Sequence, residues 1–122
     1  MVKHRMLVVE DEFIVAFELR VFLEDVGYAV CGVASTGEEA LEIAERERPD
    51  IVLMDVSIKG EIDGIEVARR IRSRFGIPTA FLTGYPAEEV IEKTRDVEPL
   101  GVFVKPLRYQ ELEAALGDFL LA

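Results

Sequence analysis

The chain has 122 residues, the length of a single domain that can build its own hydrophobic core. Fourteen basic residues against twenty-four acidic ones give a formal net charge of -10, which disfavours direct binding to nucleic acid or to an anionic membrane surface. One cysteine excludes a disulfide framework, and we recognise neither a membrane-spanning run nor a signal peptide. We therefore expect a soluble, cytoplasmic domain.

Short apolar runs alternate five times with amphipathic stretches along the chain. The pattern predicts strands near residues 5–10, 29–34, 51–55, 79–83 and 101–104. It predicts helices near residues 12–26, 37–47, 64–75, 87–96 and 108–121. Such alternation implies parallel strands joined by right-handed crossovers, with helices on both faces of the sheet. The predicted fold class is a five-stranded, doubly wound α/β domain.

Polar residues stand where these strands end. Glu10 and Asp11 follow the first strand, Asp55 ends the third, Thr83 ends the fourth, and Lys105 follows the fifth. The carboxyl ends of parallel strands share one edge of the sheet, which is where open α/β sheets place their sites. We therefore expect these five residues, remote in sequence, to converge.

The chemistry of these residues favours phosphoryl transfer. Carboxylates 4 to 5 Å apart repel one another by roughly 4 kcal/mol per pair, so one acid is protonated or a cation is bound. An oxygen-only cluster favours a hard ion, and Mg²⁺ more than a Ca²⁺ cage. Lys105 and Thr83 add an ammonium and a hydroxyl for phosphoryl oxygens. Asp55 lies on the central strand, and because a carboxylate can be a covalent nucleophile, we predict that it is the phosphoryl acceptor.

Five short segments of the chain form a pattern: residues 8–12, 53–55, 63–66, 81–84 and 104–106. In order and spacing they resemble the receiver domain of bacterial two-component response regulators. The resemblance covers nearly the whole chain and implies the strand order 2-1-3-4-5. It also implies that Mg²⁺ is bound by the side chains of Asp11 and Asp55 and by the backbone carbonyl of Ser57, with Glu10 acting largely through a bound water.

The resemblance further implies how the site is used. Thr83 and Lys105 would hold the phosphoryl oxygens, and the bond between Lys105 and Pro106 would be cis. A histidine kinase or a histidine phosphotransfer protein would donate the phosphoryl group. An unknown downstream protein would then respond to a changed surface of the fourth helix, fifth strand and fifth helix. The resemblance leads us to expect a monomer or a weak dimer.

The sequence departs from the family at the residue that usually signals phosphorylation. Most receivers carry an aromatic residue three positions before the strand-five lysine, where this chain has Val102. Phe103 should point to the opposite face of the sheet, because strand residues alternate. Tyr85 is a candidate substitute for the switch, with an ordinary loop aromatic as the alternative. Residues 81–85 are partly similar to the Phe-Ala-Thr-Gly-X-Tyr signature of certain single-domain receivers, but Leu82 and Pro86 differ from it.

The first helix is too apolar for a single stripe that faces the core. We predict that Ile14 and Val15 form a docking patch for the helical bundle of a kinase or phosphotransfer protein. Core packing is the alternative explanation for these residues.

Several alternatives to a stand-alone receiver remain at this point. The fifth helix reaches the end of the sequence, so we expect residues 1–122 to be a receiver without an output domain. The chain could instead be a fragment of a larger regulator with a DNA-binding or enzymatic output, or a degenerate receiver that acts only as an interaction module. A haloacid-dehalogenase-type hydrolase needs an acid where Ser57 stands, and a flavodoxin-like carrier would not place acids in its first loop. We expect no enzyme activity beyond the chain's own phosphorylation and dephosphorylation.

Overall fold

The computed structural model describes residues 3–121. The five strands are β1 (Arg5–Val9), β2 (Ala29–Ala34), β3 (Ile51–Asp55), β4 (Thr79–Thr83) and β5 (Gly101–Val104). The helices are α1 (Phe13–Asp25), α2 (Gly37–Glu47), α3 (Gly64–Phe75), α4 (Ala87–Lys93) and α5 (Tyr109–Leu121), with a short 3₁₀ turn at Arg95–Val97. None of the helices within this described range is long and apolar enough to cross a membrane.

All five strands are parallel and lie in the order β2-β1-β3-β4-β5. The predicted fold class and strand order are therefore confirmed. The central strand β3 is buried along its whole length, as its uninterrupted aliphatic run predicted. The order places the carboxyl ends of β1 and β3 side by side, so Glu10 and Asp55 become neighbours.

Each face of the sheet carries its own apolar core. Alternate residues of β1 face opposite ways: Leu7 and Val9 pack with α2 and α3, whereas Met6 and Val8 pack with α1 and α5. Each helix therefore covers one face, which fixes the sheet between two helical layers.

Side-chain caps fix the starts of the two helices that flank the candidate site. The hydroxyl of Thr36 accepts a hydrogen bond from the backbone N–H of Glu39 at 3.2 Å, and the carboxylate of Asp63 accepts one from Glu66 at 2.8 Å. Such caps satisfy backbone donors that the first helical turn leaves free. Asp63 in this way ends the loop that begins at Asp55.

Helix α4 is three residues shorter at its end than the predicted range of 87–96 and stops at Lys93. The buried hydroxyl of Thr94 donates a hydrogen bond to the carbonyl of Val90 at 2.7 Å. The chain then tightens into the 3₁₀ turn, where Asp96 pairs with Arg69 of α3 at 2.6 Å. A local side-chain bond of this kind competes with the continuing helix, which explains the difference.

Candidate functional site

Three carboxylates meet at the carboxyl edge of the sheet. One oxygen from each of Glu10, Asp11 and Asp55 lies within 4.8 Å of the other two. Glu10 and Asp55 are 2% and 3% exposed, whereas Asp11 is partly exposed. The strand order creates this cluster, because β1 and β3 are hydrogen-bonded neighbours and end at the same level.

Lys105 reaches into the cluster from β5. Its ammonium Nζ lies 2.6 Å from Glu10 Oε1 and 3.3 Å from Asp55 Oδ2. Its backbone N–H donates to the carbonyl of Thr83 at 2.7 Å, and its peptide bond to Pro106 is cis. Burial opposes the charged ammonium, but the hydrogen bond to Glu10 and the charge of Asp55 outweigh burial and raise the pKa of Lys105. Lys105 is therefore a firmly held cation.

The two buried acids have different surroundings. Burial raises the pKa of Glu10 to about 7, and the hydrogen bond from Lys105 offsets only part of that effect. The Asp55 carboxylate accepts a hydrogen bond from the backbone N–H of Ser57 through Oδ1 at 3.0 Å. One carboxylate oxygen of Asp55 is thus hydrogen-bonded to the loop after β3, and the other faces Lys105.

The carboxylate cluster opens into a cleft of about 510 Å³. Besides Asp11 and Asp55, its walls include Ser57, Lys59, Tyr85 and Lys105. Ser57, the predicted backbone ligand, is exposed and lies beside Asp55 in this cleft. Carboxylate and carbonyl oxygens are the ligands that Mg²⁺ prefers, so the donor set fits a hard divalent cation.

Thr83 lies behind the cleft and does not line it. Its side chain is fully buried, and its hydroxyl accepts a hydrogen bond from the backbone N–H of Tyr85 at 2.8 Å. The Tyr85 side chain is 55% exposed and stands at the cleft wall. The structure thus joins Thr83 to the loop before α4.

The two β5 residues of the predicted switch region face opposite ways, as strand alternation requires. Val102 packs on the α2 and α3 side of the sheet, and Phe103 packs on the α1 and α5 side. Val102 pairs with Phe81 of β4, two residues before Thr83. An aliphatic side chain therefore occupies the position three residues before Lys105.

The exposed apolar surface of α1 differs from its predicted composition. Ile14 is 69% exposed, as expected, but Val15 is half-buried beside Pro106 and Leu107. Phe13 and Phe17, which sequence reasoning missed, are 81% and 57% exposed, and their rings stack at 6.2 Å. Ala16, Leu19 and Leu23 face the core and set the phase of the helix. The sequence left several apolar faces of α1 open, and only the phase that these three residues set shows that the two phenylalanines are exposed.

Lys59 is a residue of the site that sequence reasoning missed. It is exposed and lies on the wall of the cleft. The available signal was its place four residues after Asp55, in the same loop. A basic residue so near a cluster of acids adds a charge of the sign that phosphoryl groups require.

The fold and this edge define a class of protein: a doubly wound α/β domain whose sheet edge gathers buried carboxylates around a lysine. The sequence model of the response regulator receiver domain matches residues 6–117. The chain belongs to this family, and the resemblance drawn from its motifs is confirmed. It is a signalling domain of the two-component type, a class that interacts with histidine kinases or phosphotransfer proteins and with downstream partners.

Individual relatives differ in length. The transcriptional regulatory protein PdtaR of Mycobacterium tuberculosis is 36% identical over 115 residues, which are 94% of this chain and 56% of PdtaR. Sporulation initiation phosphotransferase F of Bacillus subtilis is 31% identical over 121 residues, which cover 98% of this chain and 96% of that protein. The signal receiver domain of a modulated diguanylate cyclase from Desulfovibrio desulfuricans G20 has a TM-score of 0.87 at 35% identity, covering 95% of this chain and 92% of that one. The chain thus spans about half the length of PdtaR and nearly all of the phosphotransferase.

Proposed function

We propose that this receiver domain accepts a phosphoryl group on Asp55 in a Mg²⁺-dependent reaction. The observation that carries the proposal is the position of Asp55: the residue is only 3% exposed, yet it borders the cleft with Oδ2 3.3 Å from Lys105 Nζ. An Asp55 oxygen would attack phosphorus while the bond from phosphorus to the donor atom breaks, and the donor atom would leave with the electron pair. The product is an aspartyl phosphate.

The other residues of the cluster would hold the charges of this reaction. Asp11, Asp55 and the carbonyl of Ser57 would hold Mg²⁺, with Glu10 acting largely through a bound water, and the ion would neutralise negative charge on the phosphoryl oxygens. Lys105 supports the same role, because its ammonium is already held between two carboxylates. Its point charge can turn toward a phosphoryl oxygen without leaving the cluster.

We further propose that Thr83 and Tyr85 carry the signal away from Asp55. The hydrogen bond from the Tyr85 N–H to the Thr83 hydroxyl supports this, because a shift of Thr83 toward a phosphoryl group would move the Tyr85 backbone. Tyr85 is followed by Pro86, at the start of α4. Phosphorylation would therefore change the surface of α4, β5 and α5, with Val102 as a passive packing residue.

A histidine kinase or a histidine phosphotransfer protein is the proposed donor, and the cytoplasm is the proposed location. The proposed output is binding to a downstream protein rather than to nucleic acid, which the net charge of -10 supports. We propose that the receiver domain acts as a monomer or a weak dimer.

The test is incubation with acetyl phosphate and Mg²⁺, followed by intact mass measurement. We expect a gain of one phosphoryl group in the wild-type chain and in Asp25→Asn, a matched acid-to-amide change on the exposed end of α1. Asp55→Asn should show no gain, and neither should the wild-type chain in EDTA. Unchanged wild-type mass, under conditions that modify a control receiver, would instead favour a degenerate interaction module.

A further inference from the structure

The cleft at Asp55 places an incoming phosphoryl donor among acids of its own sign. Asp11, Glu12 and Asp55 lie on its walls, within a chain of net charge -10. A phosphoryl group is itself negative at neutral pH, so these acids repel it as it enters the cleft. A nearby positive charge would offset that repulsion. The cations that line the cleft are Lys105 and Lys59.

Lys105 is already engaged in ion pairs. Its ammonium lies 2.6 Å from Glu10 and 3.3 Å from Asp55, and its side chain is only 21% exposed. Lys105 is therefore placed to act on a phosphoryl group that has reached Asp55. It is poorly placed to meet one outside the cleft.

Lys59 has the opposite character. Its side chain is exposed, and within residues 3–121 it makes no ion pair and no side-chain hydrogen bond. Its backbone is nevertheless fixed, because it forms a parallel β-bridge with Thr36 just before α2. The next residue, Gly60, has a φ of +122° and lies against the carboxylate of Glu38, so the loop takes a defined path at this point. An exposed ammonium, carried by a fixed backbone segment, thus lines the cleft.

We propose that Lys59 is a donor-binding residue, which attracts and orients the phosphoryl group before transfer to Asp55. This inference rests on the proposed function of Asp55. The chemical class that it recognises is a phosphoryl dianion carried on a good leaving group. In the transfer from acetyl phosphate, the Asp55 oxygen bonds to phosphorus, the bond from phosphorus to the acyl oxygen breaks, and acetate leaves with that electron pair.

The test compares phosphorylation rates at several concentrations of acetyl phosphate for wild type, Lys59→Met, Lys59→Arg and Lys3→Met. Lys3→Met is the matched control, since Lys3 is an exposed lysine just before β1, at the opposite end of that strand from Glu10. Lys59→Met should raise the half-saturating donor concentration about three- to tenfold and leave the maximal rate within about twofold. Lys59→Arg should behave like wild type, and the difference should shrink in high salt.

Phosphoramidate provides a second arm, because it carries less negative charge than acetyl phosphate at neutral pH and presents a phosphorus–nitrogen bond. The half-saturating concentration should therefore rise less in Lys59→Met with phosphoramidate than with acetyl phosphate.

Three outcomes would overturn the role of Lys59: an equal rise with both donors, an equal rise in Lys3→Met, or no rise at all. If the wild-type chain gains no phosphoryl group, the proposed function of Asp55 fails first. A wild-type chain that is modified while Lys59→Met keeps wild-type kinetics removes only the present inference.

Discussion

Burial of Glu10 adds a pH-dependent contribution to the stability of the fold. Its pKa is raised from the ordinary value of 4.5 to about 7, first because of burial. Between these two values the folded chain keeps a proton that the unfolded chain has lost, so stability falls as pH rises through this window. Above about pH 7 Glu10 is ionised in the folded chain as well, and the loss of folding stability reaches its full value, roughly 3 kcal/mol at most.

Replacement of Glu10 by Gln should remove this slope. Because the amide stays neutral, the unfolding free energy of Glu10→Gln relative to wild type should increase between pH 5 and pH 8, by up to roughly 3 kcal/mol. Urea unfolding in EDTA at several pH values measures the difference in unfolding free energy between variant and wild type. For Glu42→Gln, an exposed change on α2, this difference should not change with pH. Parallel pH profiles for Glu10→Gln and wild type would show that the acid is not destabilised by burial.

Two buried threonines make a matched test of hydroxyl pairing. Within residues 3–121, the Thr79 hydroxyl is buried and has no hydrogen-bond partner, whereas the Thr94 hydroxyl donates to Val90. Thr79→Val should therefore stabilise the fold by about 1 kcal/mol, because an unpaired hydroxyl is removed from the interior. Thr94→Val should destabilise it by about 1 kcal/mol. Urea unfolding of both variants checks the two signs, and a loss of stability in Thr79→Val contradicts the assignment.

At the scale of elements, the exposed face of α1 is the natural partner surface to test. Ile14→Asp should slow phosphoryl transfer about tenfold from a histidine kinase that phosphorylates the wild-type chain, since it places a charge in an apolar contact. The rate with acetyl phosphate should stay within about twofold, because Ile14 is 69% exposed and outside the cleft. Val15, which is half-buried, is the poorer probe, since its replacement also disturbs packing.

Ile91→Asp on α4 provides the matched control, as Ile91 is also an exposed aliphatic residue. The kinase rate of this variant should stay close to that of wild type. Equal losses from kinase and acetyl phosphate in Ile14→Asp would place the defect at Asp55 instead of at docking.

The elements themselves were largely predictable from sequence, and the reasons are local. Aliphatic runs such as residues 51–54 have few alternatives to a buried strand, and each strand end carries its own polar residue. The end of α4 was not predictable, because it depends on a bond from the Thr94 hydroxyl to Val90. The exposed phenylalanines of α1 were missed because an apolar helix offers several possible buried faces. The bond between Tyr85 and Thr83 needs the folded loop to be seen.

At the scale of the whole molecule, Mg²⁺ should stabilise the fold by relieving repulsion between the clustered acids. At a free Mg²⁺ concentration ten times its dissociation constant, the gain should be about 1.4 kcal/mol. Thermal unfolding should show Tm rising with Mg²⁺ in wild type and in Asp25→Asn. In Asp11→Asn the rise should be much smaller, because one of the three carboxylates is lost. An equal rise in Asp11→Asn would mean that Mg²⁺ acts elsewhere on this acidic surface.

The ion pair between Lys105 and Glu10 joins residues 95 positions apart. During synthesis, the three carboxylates of the site emerge with the first half of the chain, and Lys105 emerges only after all five strands. A nascent chain therefore cannot complete the proposed phosphoryl-accepting site before its last strand is made. Under the proposed function, a partly synthesised chain lacks the lysine that the site needs, so phosphoryl acceptance is tied to the finished fold.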